Sequence, residues 1–350
     1  MINTERRYDI DWLRVIAIAL LLIYHAAIVF QPWGVLIGFI QSQKSIESLW
    51  IPMSILNVWR IPLLFFVSGM GVCFAIRKRS WKQLLLERSQ RILLPFIFGV
   101  IAIVPVHELL WKGYYNQELT YTMSRGHLWF LGNIFCYVVL LIPVFFYLKR
   151  KANGRLGSML AKVLSHPLGI FVVAIPFTME VMLVNPEAFE VYAMTWHGFY
   201  LGLLAFLLGF LLIYVGQSVW NNLFQWLWMY LCLATVLFLV RLLVFDLQAP
   251  NYLLPLESMA WIYAVFGFAY KYLNRPSGLL TYLSGAAYPV YILHMIFLYM
   301  AAMWILPMGI HVQLQFVLVT ILSLMASMLV YEILIRRIRW VGFLFGYKIN

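Results

Sequence analysis

WLRVIAIALLLIYHAAIVF, residues 12–30, decides the fold. In these 19 residues only Arg14 and His25 carry a cationic or imidazole side chain. At about 1.5 Å of helical rise per residue the run nearly crosses a hydrocarbon layer of about 30 Å. It has no small-x-small cleavage site, so it is expected to stay in the protein as a first membrane helix and not to be removed as a signal peptide. Outward from it, further apolar runs predict spans at 51–76, 92–111, 127–148, 166–184, 198–216, 221–245, 251–270, 284–306 and 311–335. Of the 350 residues 64% are hydrophobic and 11% charged, against about 45–50% and about 25% in soluble domains. That balance excludes a cytosolic enzyme, a disordered chain and a coiled coil. The expected fold is all-α: a polytopic membrane helical bundle of about ten transmembrane helices, with residues 1–350 forming a single domain.

The net charge of +12 follows the same pattern. Nineteen of the 25 basic residues fall in connections on one side, three (Lys44, Lys112 and Arg125) on the other, and three (Arg14, Arg60 and Arg241) within spans. Basic residues near span ends resist translocation, so this bias predicts both termini in the cytoplasm. It gives no reason to expect a nucleic-acid partner. The segment from Arg77 to Arg91, with Trp81, Leu84, Leu85 and Leu86 interleaved, predicts a short interfacial helix against anionic membrane lipids. Cys73, Cys136 and Cys232 lie in apolar runs without CxxC spacing and suggest no redox chemistry.

Ionisable groups inside spans are costly and therefore mark sites. Arg14 and His25 are eleven residues apart, three helical turns plus roughly 20°, so they share one helix face with a rise of about 16 Å. Arg60 enters the second span from the opposite end to a depth close to that of His25, and Pro62, Ser68, Gly69 and Gly71 make that helix open to close approach. His127 begins the fourth span and His294 lies inside the ninth, whereas His107, His166, His197 and His311 sit at span ends, where a histidine is ordinary. The chain has no HExxH, nucleotide P-loop, GxSxG elbow or His-x-x-x-Asp pair. No metal site is expected. The Gly34/Gly38 and Gly198/Gly202 pairs have GxxxG spacing and suggest helix packing.

Together these residues resemble the integral-membrane acyltransferase family 3. Asp11-Trp12-Leu13-Arg14 followed by His25 is similar to its first-helix hallmark. Arg60 with Phe65-Phe66-Val67-Ser68-Gly69, and Arg88-Ser89-Gln90-Arg91, are similar to its second-helix segment and its cytoplasmic basic pair. His127 to Leu131, Tyr291 to His294 and Tyr331-Glu332 are similar to later blocks. The run from Tyr331 to Lys348 looks most like the osmoregulated periplasmic glucan succinyltransferase branch, although this chain has Met295 where that branch has a second histidine.

The resemblance implies a bacterial inner-membrane enzyme that moves an acyl group, acetyl or succinyl, from cytoplasmic acyl-CoA to a hydroxyl of an extracytoplasmic glycan or glycolipid. His25, Arg14 and Arg60 are then the catalytic candidates, with His25 as base. Arg14, Arg88 and Arg91 suit the CoA phosphates, and His127, Trp129, Glu257 and His294 are candidate substrate contacts. The competing reading is a proton-coupled transporter or a flippase for a cell-envelope intermediate, which buried Arg and His would equally suit.

Overall fold

The computed structural model describes residues 6–151 and 154–347; Lys348 lies outside them. Among the described residues every regular element is helical. Eight helices of the described residues are long and apolar enough to cross a membrane: Tyr8–Ile28, Glu47–Ile76, Trp81–Tyr114, Gly126–Arg150, Trp196–Val215, Asn251–Tyr272, Gly278–Ile305 and Val312–Ile335. Two bent pairs, Gly157–Leu164 with Gly169–Val184 at 104° and Gln217–Gln225 with Leu227–Leu243 at 63°, raise the count to ten if each is one span. The first bend falls at Ser165-His166-Pro167, where proline cannot continue the preceding helix.

One expectation is corrected. The basic segment around Arg77 to Arg91 is not a separate interfacial helix, because Trp81–Tyr114 runs as a single 34-residue helix. No glycine or proline interrupts it before Pro95, and Leu84 is fully buried, so nothing in its first turns favours a break. Two π turns, Ser89–Leu93 and Gly99–Ile103, end two residues before Pro95 and Pro105. A widened turn makes room for a ring that would strike the carbonyl four residues back. Where proline supplies no N–H, the stranded carbonyl needs another donor. Ile101 O, four residues before Pro105, accepts from the Tyr121 hydroxyl at 2.8 Å, and Val58 O, four before Pro62, accepts from Tyr192 at 3.3 Å.

The chain forms two compact units. One comprises Met1–Arg14, Ser54–Leu86 and Asn133–Leu280; the other Val15–Met53, Glu87–Gly132 and Thr281–Asn350. In the first, Gly69 faces the Phe206 carbonyl and Gly209 the Phe66 carbonyl so closely that an added Cβ would lie 1.9 and 2.0 Å from those oxygens. Only glycine permits this backbone contact between Glu47–Ile76 and Trp196–Val215. In the second, the Gly34/Gly38 spacing belongs to a loop and not to a packed helix. Gly34 opens a single 3₁₀ turn, and Gly38 closes it with φ +83°, a conformation a side chain would strain.

Candidate active site

The second unit gathers four imidazoles from four distant stretches of sequence. His25 comes from the first helix, His107 from Trp81–Tyr114, His127 from the start of Gly126–Arg150, and His294 from Gly278–Ile305. Nδ1 of His25 lies 2.8 Å from Nε2 of His294, with the rings 5.1 Å apart and 17° from parallel. Nδ1–H of His294 donates to the Tyr291 carbonyl at 2.6 Å, one turn back on its own helix. The His127 ring meets that of His294 at 5.0 Å, edge to face, and Nε2–H of His127 donates to the Ile292 carbonyl at 3.1 Å. The Tyr291 hydroxyl returns the contact, donating to the His127 carbonyl at 2.5 Å. The His107 ring lies 5.4 Å from that of His127, tilted by 59°, and 5.5 Å from Tyr299, edge to face.

His25 is half-buried, whereas His294 is 1% exposed. The loop after the first helix covers this ring, with Phe39 edge-on to His25 at 5.5 Å. Polar aromatics hold the loop there. The Tyr299 hydroxyl donates to Gly38 O at 2.5 Å, Trp111 Nε1–H to Phe39 O at 3.3 Å, and Gln41 N–H to the Tyr115 hydroxyl at 3.0 Å. Beneath it, the Glu108 carboxylate accepts from the hydroxyls of Thr122 and Ser124, closing the hairpin that brings His107 back to His127.

Arg88 and Arg91 lie in the same unit, on Trp81–Tyr114. Arg91 pairs loosely with Glu87 at 3.6 Å. Trp129 is buried two residues past His127. The remaining candidates belong to the first unit. Arg14 shares Asp11 with Arg6, at 3.3 and 3.1 Å, and Arg60 is buried on Glu47–Ile76. Glu257 gives both carboxylate oxygens to Arg241, at 2.8 and 2.9 Å. The structure therefore unites His25, His127 and His294, adds His107, and engages Glu257 in an ion pair. His107 carries no signal in the sequence, because only the hairpin through residues 115–125 returns it to His127.

A half-buried imidazole bonded to a buried one is an arrangement suited to taking and returning a proton. Among the described residues no three His, Cys, Asp or Glu side chains are grouped to hold a metal ion. Residues 7–332 match the family model described as an acyltransferase domain. No curated protein and no solved structure matches the chain.

Proposed function

The chain belongs to this acyltransferase domain family, and on that premise we propose that it transfers an acyl group from cytoplasmic acyl-CoA to a hydroxyl of an extracytoplasmic carbohydrate. Residues 1–350 act as one catalytic domain in a bacterial inner membrane, with both termini cytoplasmic. His25 takes the proton of the acceptor hydroxyl as its oxygen attacks the thioester carbonyl. The carbon–sulfur bond then breaks, and the proton passes from His25 to the departing CoA thiolate. The observation that supports this reading most is the bond between half-buried His25 and buried His294 at 2.8 Å.

Arg14, Arg88 and Arg91 hold the CoA phosphates, and Arg91, 44% exposed and only loosely paired, is open to such a ligand. Arg60 is the remaining catalytic candidate. His127, Trp129 and His294 border the acceptor, while Glu257 enters only as the anchor of a buried ion pair. The acyl group is acetyl or succinyl, and the acceptor is a glycan or glycolipid of the kind handled by the periplasmic glucan succinyltransferase branch.

Purified protein in lipid nanodiscs, assayed for CoA release from acetyl- and succinyl-CoA against a glycan panel, tests the proposal. His25→Ala should lose about 10²–10⁴-fold in turnover with expression retained. Unchanged turnover in His25→Ala would reject it.

A further inference from the structure

We infer that His294 is a positioning residue which fixes the tautomer of His25, so that Nε2 of His25 is the atom that takes the proton. The inference rests on the reading of His25 as the base and specifies how that base is prepared. A carbonyl oxygen can only accept, so the 2.6 Å contact to Tyr291 O requires the proton of His294 to sit on Nδ1. This bond is local to one helix turn and is set by the Tyr291/His294 spacing. In the neutral ring Nε2 of His294 then carries the lone pair and must accept across the 2.8 Å contact. The donor there is Nδ1–H of His25, which leaves the His25 lone pair on Nε2.

The alternative is a second proton on His294, with the direction of the bond reversed. That would put a full charge on a ring 1% exposed, whose hydrogen-bond partners among the described residues are backbone groups of its own helix and another imidazole and include no anion. The neutral arrangement satisfies both contacts without that cost. An unconstrained imidazole favours the opposite tautomer, with hydrogen on Nε2, so the His294 contact reverses an intrinsic preference. In serine hydrolases a carboxylate does the same work for the catalytic histidine and also stabilises its positive form. A neutral imidazole supplies the orientation without the added negative charge, which suits a site within a membrane span.

Nitrogen-15 NMR of histidine-labelled full-length protein in nanodiscs reads the tautomer directly. The signals of His25, one of seven histidines, are assigned by their loss in His25→Ala. Above the titration of the ring, neutral His25 should carry hydrogen on Nδ1 in the wild type and revert to the Nε2–H form in His294→Phe. In kinetics, His294→Phe should lower kcat by about 10²-fold or more with KM within about threefold. His294→Gln, whose amide oxygen can accept near the Nε2 position, should keep kcat within about tenfold of wild type. A wild-type His25 bearing hydrogen on Nε2 overturns the inference even if neither His294 variant folds, as do equal losses in His294→Phe and His294→Gln. If His25→Ala is inert while His294→Phe turns over normally, this inference alone fails; an active His25→Ala removes the base itself.

Discussion

Two histidines, buried His197 and half-buried His127, are held in opposite ways. His197, 1% exposed, uses both ring nitrogens: Nδ1 lies 3.0 Å from each oxygen of Glu180, and Nε2–H donates to the Phe189 carbonyl at 2.9 Å. It ties Gly169–Val184, the following loop and Trp196–Val215 into one bracket. His127 uses one nitrogen on the Ile292 carbonyl, and its Nδ1 is buried with no hydrogen-bond partner among the described residues. A fully satisfied polar network fixes structure; an open position is retained where chemistry needs it. The same contrast separates Glu257, saturated by Arg241, from half-buried His25, whose ring edge lies under a loop held by hydroxyl and indole donors.

The closed networks should break the fold when cut, and the Arg241–Glu257 pair most of all. Both side chains are 2% exposed, and Arg241 also donates to Ser54 O at 3.0 Å. Glu257→Ala leaves the buried guanidinium with only the looser ion pair to Glu190 at 3.7 Å and should cost about 3–5 kcal/mol in thermal unfolding of the detergent-solubilised protein. Replacing both partners by leucine should recover most of that loss, because it removes both buried charges and leaves only Glu190, 22% exposed, without its 3.7 Å partner. A Glu257→Ala protein as stable as wild type would place this pair among the open sites and undo the contrast.

The next largest effect compares the two histidine networks directly. Glu180→Ala leaves buried His197 short of a partner and should cost about 1–3 kcal/mol, with turnover per folded molecule unchanged. His127→Phe removes one bond to a carbonyl in the middle of a helix and fills its space with a similar ring. Its unfolding temperature should hardly move, while turnover per folded molecule falls about tenfold. The opposite pattern would make His127 the structural residue and His197 the functional one.

Much of this was legible in the sequence. Hydropathy located the spans, the cost of ionisable groups in them singled out Arg14, His25 and Arg60, and the family resemblance added His127 and His294. Their convergence was not legible. The bond between His25 and His294 joins residues 269 apart, and no helical period reports a separation of that kind. His107 seemed an ordinary end-of-span residue because its partners are reached only through a hairpin closed by Glu108, Thr122 and Ser124. The Gly34/Gly38 spacing imitated a packing motif; Gly69 was marked for close approach, but its counterpart Gly209, 140 residues away, shares no spacing with it. The charge run from Arg77 to Arg91 suggested a surface element, yet helix continuity across Pro95 and Pro105 depends on π turns that composition does not announce.

The smallest effects come from the two tyrosines that serve proline-stranded carbonyls, and here burial decides against bond length. Tyr121 makes the shorter bond, 2.8 Å to Ile101 O, but is 56% exposed. Tyr192 makes the longer one, 3.3 Å to Val58 O, and is 3% exposed. When the hydroxyl at Tyr121 is deleted, water or a lipid headgroup can reach the carbonyl, so the net loss is that of one exchanged hydrogen bond, about 0.5 kcal/mol. At Tyr192 the carbonyl stays buried and bears the desolvation cost of an unmet acceptor, about 1–2 kcal/mol. Tyr192→Phe should therefore lower the unfolding temperature clearly more than Tyr121→Phe, despite the longer bond. Equal shifts would mean that the carbonyl stranded by Pro62 finds another donor along its own helix.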